Sequence, residues 1–357
     1  MRKALSLDDV LIVPKFSNIE SRRNVDISST IGKLKLSIPI ISSNMDSVTG
    51  TLLATKMYDN GAIGALHRFQ SIEDNVHQYL SVRNNNAHAM VSFGLGREEL
   101  KRAETLYVAG ADHFILDVAH GATMETVRQV KAFREVLGHT PQLIVGNFAS
   151  LSSFNDFLYH LGNKGAIDAL KLSVGSGSAC TTRTVTGCGL PTFETLNQFS
   201  LSEHFYPIIL DGGIKTSGDM AKALAAGASA VMMGRIFAQT EESPGEVISA
   251  HNTTWENEQR LRAHGITEGR WKWYRGSASA ESYEAQGKTS SWRTAEGDAY
   301  FVPVTGTVAN VLQQYSAGVK SAFSYVGAQS LGDFWEKAEF VEITSAGHSE
   351  SFAHGRL

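Results

Sequence analysis

Apolar residues fall into short runs separated by longer amphipathic stretches. The runs are IPIIS (38–42), AIGAL (62–66), HAMVSF (88–93), HFILDV (113–118), QLIVGN (142–147), DALKLSV (168–174), PIILDG (207–212) and ASAVMMG (228–234). Each has strand length and stays apolar on both faces, as a strand covered on both sides does. Between them, residues 71–83, 97–109, 123–137, 150–161 and 217–226 carry helical spacing. Buried runs alternating with helices indicate a parallel sheet. Eight such units predict a closed (β/α)8 TIM barrel, an α/β fold; fewer strands would suit an open doubly wound sheet. A further helical stretch at 306–326 is placed to close the barrel. Nothing marks a tandem repeat or a second domain, so residues 1–357 read as one barrel domain.

The pattern breaks over residues 251–300, which are polar and rich in Gly, Ser and Trp. Such a stretch is either a mobile flap over the barrel mouth or an irregular surface excursion. Trp271, Trp273 and Trp292 argue for partial order, because large rings need something to pack against.

A barrel places its chemistry at the C-terminal ends of its strands. Here those ends read SSNMD (42–46), LHRF (66–69), LDVAHG (116–121), VGNF (145–148), SVGSGSAC (173–180), LDGGI (210–214) and MMGR (232–235). Asp, Asn, His, Gly and Cys therefore collect at one face. Composition narrows the partners. The net charge of −4 leaves no basic excess for a nucleic-acid backbone or an anionic membrane. No run of about 18 apolar residues predicts a membrane span, and charge interrupts the N-terminus too early for a signal peptide. The two cysteines, Cys180 and Cys188, match neither a disulfide scaffold nor a zinc spacing, so a reducing cytoplasm is expected.

DGGIKTSGD (211–219) follows an apolar run. Gly212 and Gly213 permit a tight turn, and Thr216 or Ser217 can cap a helix starting near Gly218, whose amides would face a phosphate. Asp211 stands where it can accept from ribose hydroxyls. The bland reading is an ordinary strand–turn–helix link. MMGR (232–235) ends the next run, and loops after the last two strands of such barrels commonly share a phosphate site. Gly234 belongs to that loop, and Arg235 either adds a charge-assisted contact or is a surface arginine.

GSGSACTTR (175–183) fails as a dinucleotide fingerprint, because Cys180 stands where a third small residue is needed. A lone cysteine is most often inert core. Here its neighbours are small and polar, the setting of a thiolate that attacks an electrophilic carbon. Carbonyls freed by the glycines can also ligate a monovalent cation. Cys188 reads as structural. Asp117 and His120, in LDVAHG, and the polar residues of NMD (44–46) and HRF (67–69) complete the rim.

Together these pieces resemble the inosine-monophosphate dehydrogenase and guanosine-monophosphate reductase superfamily. The resemblance runs from SLDDVLIVPKFS through NMDSV, LDVAHG, GSGSACTTR, DGGIKTSGDMAKALAAGA and EESPGE to SYVGA near residue 327. It implies that Cys180 attacks C2 of a purine and forms a covalent thioimidate. It implies phosphate contacts at Gly212, Gly213, Gly234 and Arg235, with Asp211 on the ribose. It also implies potassium on the carbonyls of Gly175, Gly177 and Cys180.

The two branches share that intermediate. Dehydrogenases oxidise the inosine nucleotide with NAD, then hydrolyse the adduct using an Arg–Tyr pair on a long flap, and usually carry a regulatory CBS insert. Here LHRFQSIEDNVHQYLSVRNNNAHAMVSFG runs through without an insert, and Gly276–Glu296 has no Arg–Tyr dipeptide. WRTAEGDAYFVPVTG resembles the reductase pattern. The resemblance therefore implies NADPH-dependent reductive deamination of guanosine monophosphate (GMP) to inosine monophosphate (IMP) and ammonia. Glu296 and Thr182 would protonate the departing amine. Arg293, Ser277 and Gly297 would flank the nucleotide, and Asp117 and His120 would face the nicotinamide. A cytoplasmic homotetramer is implied. The sequence departs from the reductase pattern at Arg68, which stands in the place of a catalytic lysine and takes that catalytic position if the lysine only supplies charge, and at Ser173, Arg235 and Gln239. The tail SAGHSESFAH is dehydrogenase-like. A dehydrogenase lacking CBS domains and a non-catalytic nucleotide-binding barrel are the alternatives.

Overall fold

The computed structural model describes residues 3–202, 206–251, 253–285, 287 and 294–353. Eight parallel strands close into a barrel: Ile40–Ser42, Ile63–Leu66, Ala89–Phe93, His113–Asp117, Gln142–Phe148, Ala169–Leu172, Ile208–Asp211 and Ala230–Met233. Each lies within, or one residue beyond, an apolar run of the sequence. The eighth strand pairs with the first, Met232 opposite Ile41, so no barrel edge is left open.

The expected helices form at Ile72–Asn84, Arg97–Val108, Met124–Leu137, Leu151–Leu161, Ser217–Ala225 and Val308–Val326. Their starts are chemically marked. Ser71 and Ser150 accept the amides of Asp74 and Ser153, and Thr216 forms a capping box with Asp219. Thr216, of the two caps considered, is the one used, and the helix begins at Ser217.

Strand residues alternate between two cores. The outward set packs under the helices: Ile40, Leu66, Val91, Leu116, Leu170 and Leu210 are among its members. The inward set fills the barrel with Ile41, Ile63, Met90, Ile115, Ile144 and Ile209. A hairpin of Ser29–Ile31 and Leu34–Leu36 adds Ile31, Leu34 and Leu36 to that inner core. Gln142 Nε2 donates to the Ile31 carbonyl at 2.7 Å, fastening the hairpin beside the start of the fifth barrel strand. It closes the N-terminal end of the barrel and leaves the C-terminal end for chemistry.

Two residues beyond the inner apolar layer, the same inward period brings up Ser43, His67, Ser92, Asp117, Lys171 and Asp211. The barrel interior therefore turns from hydrocarbon to polar in one step, just below the mouth.

The stretch 251–300, read above as a flap or an excursion, carries regular structure. Ile248–Ser249, Arg270–Arg275 and Ala299–Pro303 form an antiparallel three-stranded sheet beside helix Trp255–Ala263. Ile248, Leu261 and Phe301 make its small core, with Trp271 and Trp273 packed against it. Trp273 meets Phe301 edge-on at 4.7 Å. Trp292 lies outside the described residues. Lys272 fastens the sheet to the barrel. Its buried ammonium donates to the carbonyls of Thr240 at 2.9 Å and Ser243 at 2.7 Å, and to Ser243 Oγ at 3.0 Å. Among the described residues no helix is long and apolar enough to cross a membrane.

Candidate active site

The loop after the sixth strand carries Cys180 into solvent at the barrel mouth. Its backbone is clamped to the chain that returns from the excursion. Thr181 N donates to the Glu296 carbonyl at 2.9 Å, and Asp298 N donates to the Ala179 carbonyl at 2.8 Å. That two-bond bridge sets Gly297 opposite Cys180. Arg183 braces the same loop from behind, through Val174 O at 3.0 Å and Leu190 O at 2.6 Å.

The clamp brings three side chains into line. Cys180 Sγ donates to Thr182 Oγ1 at 3.2 Å, and Thr182 Oγ1 donates to Glu296 Oε2 at 2.8 Å. Cys180 and Glu296 are 116 positions apart in sequence, yet one hydroxyl joins them. The directions matter. A proton can pass from thiol to hydroxyl to carboxylate, leaving a thiolate and a neutral glutamic acid.

Beside this chain lies a cleft of about 500 Å³, walled by Ser176, Gly177, Gly212, Gly213, Gly234 and Arg235 among others. Gly212 and Gly213 sit at φ +83° and +78°, a region a side chain would strain, and this turns the backbone toward the start of helix Ser217–Ala225. Amides at such a start favour an anion. Ser176 Oγ donates to the Asp211 carbonyl at 2.7 Å and ties the cysteine loop to this turn. Arg235 is exposed, with its guanidinium 6.0 Å from the Tyr300 ring centre.

A second cleft, about 380 Å³, opens on the other side of Asp211 and is lined by Arg68, Phe69, Asp117, Lys171, Ser277 and Tyr283 among others. Arg68 lies over Phe69 at 4.9 Å and 3.7 Å from Glu99. Its Nε is buried without a hydrogen-bond partner among the described residues. Burial pushes the Asp117 carboxyl up, but Lys171 and then Arg68 outweigh it and hold the group below the usual range. His120 is exposed and walls neither cleft, unlike Asp117 three residues earlier. Arg293 lies outside the described residues.

The chain matches the family described as the IMP dehydrogenase / GMP reductase domain over residues 4–354. The chain belongs to this family. An inosine-5′-monophosphate dehydrogenase of Cryptosporidium parvum is 31% identical, over 99% of this chain and 95% of its own length. A GMP reductase of Shewanella halifaxensis is 32% identical, over 95% and 94%. A crystal structure of a GMP reductase variant from Trypanosoma brucei with guanosine 5′-monophosphate superposes with a TM-score of 0.88. It is 24% identical and covers 100% of this chain and 99% of that one, a likeness of fold. The IMP dehydrogenase / GMP reductase family is one of oxidoreductases that bind a purine nucleotide and use a nicotinamide cofactor.

Residues lining the two clefts that the sequence reading did not single out are Lys171, Asn147 and Tyr274. Lys171 hid inside an apolar run; its inward phase, two residues after Ala169, was the signal. Asn147 Nδ2 reaches Asp211 Oδ2 at 3.0 Å. Tyr274 points its hydroxyl at Ser178 Oγ, 3.3 Å away, and burial pushes its pKa up to about 12, so it enters the cleft as a neutral donor. Its neighbour Arg275 forms an ion pair with Asp46, Nε to Oδ2 at 3.0 Å, while Ser47 Oγ meets both the amide and the carbonyl of Arg275. This pair pins the rim segment that carries Tyr274 and Ser277 to the loop after the first barrel strand. Asp46→Asn is therefore expected to let residues 275–279 open more often. Amide hydrogen exchange at Gly276 and Ser279 should rise about fivefold, the effect of losing ~1 kcal/mol locally. Unchanged exchange would show the pair to be incidental.

Proposed function

We propose that the chain is an NADPH-dependent guanosine-monophosphate reductase that converts GMP to IMP and ammonia. The observation that carries this reading is the hydrogen-bonded line Cys180–Thr182–Glu296. A dehydrogenase must activate water on its adduct, whereas a reductase must protonate a leaving amine. The line ends in a carboxylate able to store and return a proton, and Gly276–Glu296 contains no Arg–Tyr pair.

In the first half-reaction the Cys180 thiol gives its proton through Thr182 to Glu296. The thiolate attacks C2 of the guanine. Glu296 then returns the proton through Thr182 to the 2-amino group, which departs as ammonia and leaves a C2 thioimidate. Bound NADPH supplies the hydride that the second half-reaction requires. As C2 becomes C–H, the carbon–sulfur bond breaks and its electrons return to Cys180, releasing IMP; the thiolate then takes a proton from solvent and the thiol is restored.

The nucleotide phosphate lies on the Gly212–Gly213 turn and the Gly234–Arg235 loop, and Asp211 takes the ribose hydroxyls. The second cleft fits a nicotinamide. It is polar on one wall through Asp117, Lys171 and Arg68, and its Arg68 Nε lacks a partner among the described residues, as a donor awaiting a ligand would. Arginine keeps its charge, so Arg68 orients but does not deliver a proton. The carbonyls of Gly175, Gly177 and Cys180 are the ones to hold potassium. Gly177 O already accepts the Cys180 amide at 3.0 Å and has one lone pair to spare.

The competing reading is an IMP dehydrogenase. It is favoured by the name of the Cryptosporidium parvum relative and by Arg68 in place of a lysine. Two mixtures separate them: GMP with NADPH, and IMP with NAD, each followed by the absorbance of the reduced cofactor. Cofactor oxidation in the first, with ammonia released in equal amount, is expected. Cofactor reduction in the second alone would overturn the reductase.

A further inference from the structure

The reaction just described gives no task to the buried ammonium of Lys171. Lys171 is almost fully buried, its side chain 2% exposed, and its ammonium sits between two carboxylates. It is 2.9 Å from Asp117 Oδ1 and 2.6 Å from Asp211 Oδ2. All three are inward-facing residues at their strand ends, one layer above Ile115, Ala169 and Ile209 of the inner core. Asp211 borders both clefts, Asp117 only the second.

We propose that Lys171 is a positioning residue that links the nucleotide cleft to the cofactor cleft by holding Asp211 and Asp117 on one shared ammonium. The inference rests on the assignment of the two clefts given above. The link has three parts. First, Lys171 Nζ and Asn147 Nδ2 both donate to the same oxygen of Asp211, Oδ2, at 2.6 and 3.0 Å. The carboxylate is thereby turned so that Oδ1 is left for the cleft. Second, Asn147 Nδ2 also donates to Ser173 O at 2.8 Å, so this orientation is tied to the cysteine loop. Third, an ammonium is a point charge whose attraction is divided between its partners. A ligand that draws on Asp211 shifts Lys171 toward Asp117, and a ligand at Asp117 shifts it back. Such coupling is reciprocal by thermodynamic necessity.

Proton transfer is not the role of this lysine. Burial alone would push its pKa down, but Asp117 and Asp211 together outweigh that and hold it above the ordinary lysine value. Lys171 stays charged throughout the neutral range. The ammonium itself is poorly replaced, since removing it leaves two buried carboxylates with no cation between them, whereas neutralising one carboxylate leaves a balanced lysine–aspartate pair.

The test is mononucleotide binding in the absence of dinucleotide, by titration calorimetry with GMP and with IMP. Asp117 lies outside the nucleotide cleft, so a purely local view predicts no effect there. In Asp117→Asn the ammonium rests on Asp211 alone and weakens Oδ1 as an acceptor. The mononucleotide Kd is expected to rise at least about fivefold, at an unchanged melting temperature, the lower end of measured couplings between sites. In a Lys171→Met background the same Asp117→Asn change should have no further effect. An Asp117→Asn Kd within about twofold of wild type overturns the inference, whether or not Lys171→Met folds. Failure of the wild-type protein to bind either mononucleotide would remove the functional assignment, and this inference with it. The wild-type titration thus tells the two failures apart.

Discussion

Cys180→Ala is expected to abolish turnover while nucleotide binding survives. The loss should be about 10⁴-fold or more in kcat, the scale seen when a covalent nucleophile is removed. The geometry separates the two effects. Cys180 contributes its sulfur to the hydrogen-bonded line, but its backbone is fixed by its own amide on Gly177 O and by the bridge between its neighbours and Glu296 and Asp298. None of these bonds uses the side chain. The Gly212–Gly213 turn proposed for the phosphate and the carboxylate of Asp211 belong to a different strand and the loop that follows it. The GMP Kd should therefore stay within about threefold of wild type. Mass spectrometry of the wild-type protein held with GMP, without reduced cofactor, should show a nucleotide adduct on Cys180 and none in the variant. Measurable turnover in Cys180→Ala would remove the nucleophile and the mechanism built on it.

The barrel was legible because each strand announces itself as a short run without alternation, and eight such runs leave little choice of architecture. The glycine-rich turns were legible for a related reason: a polar, flexible loop directly after a buried strand has few structural uses. What the sequence concealed was phase. Lys171 sits in DALKLSV, a run whose apolarity signals burial, and only the register of Ala169 against the inner core shows that residue 171 faces the polar layer. Asn147 was visible as a strand-end residue, but its tie to Asp211 spans 64 positions, and no local pattern reports a contact of that range.

The excursion was the least readable part. Its three strands pair across distant segments, Ile248 with Trp271 and Trp271 with Pro303, and among the described residues its buried core is Ile248, Leu261 and Phe301, flanked by Ala250, Ile266 and two tryptophans. So small a core gives little periodic signal. The two outward anchors, Lys272 on the carbonyls after the eighth strand and Arg275 on Asp46, are charged residues in a polar stretch and look like surface. They matter because the returning chain must present Glu296 to Thr182. A lysine and an arginine in a polar stretch thus set the position of Glu296, the proposed proton carrier.

That carrier gives the second large effect. Glu296→Gln is expected to cut GMP deamination by about 10²- to 10³-fold, the range for loss of a general acid. Glutamine keeps an oxygen that can accept the Thr182 hydroxyl, so the 2.8 Å contact and the backbone bridge at Gly297 are retained. What it lacks is a site to hold the thiol proton and return it to the amine. The hydride half-reaction moves no proton to nitrogen and should be far less sensitive. It can be isolated by running it backwards, with IMP and NADP⁺ and no ammonia, in a buffer whose base takes the thiol proton that Glu296 would otherwise accept; reduced cofactor then appears only as far as the C2 thioimidate accumulates on Cys180. In Glu296→Gln the rate of that step is expected to stay within about tenfold of wild type. The contrast between the two rates is the decisive quantity. Equal loss in both directions would mean that Glu296 serves the position of Cys180 rather than the departure of nitrogen, and the line from sulfur through Thr182 to the carboxylate would be a structural clamp.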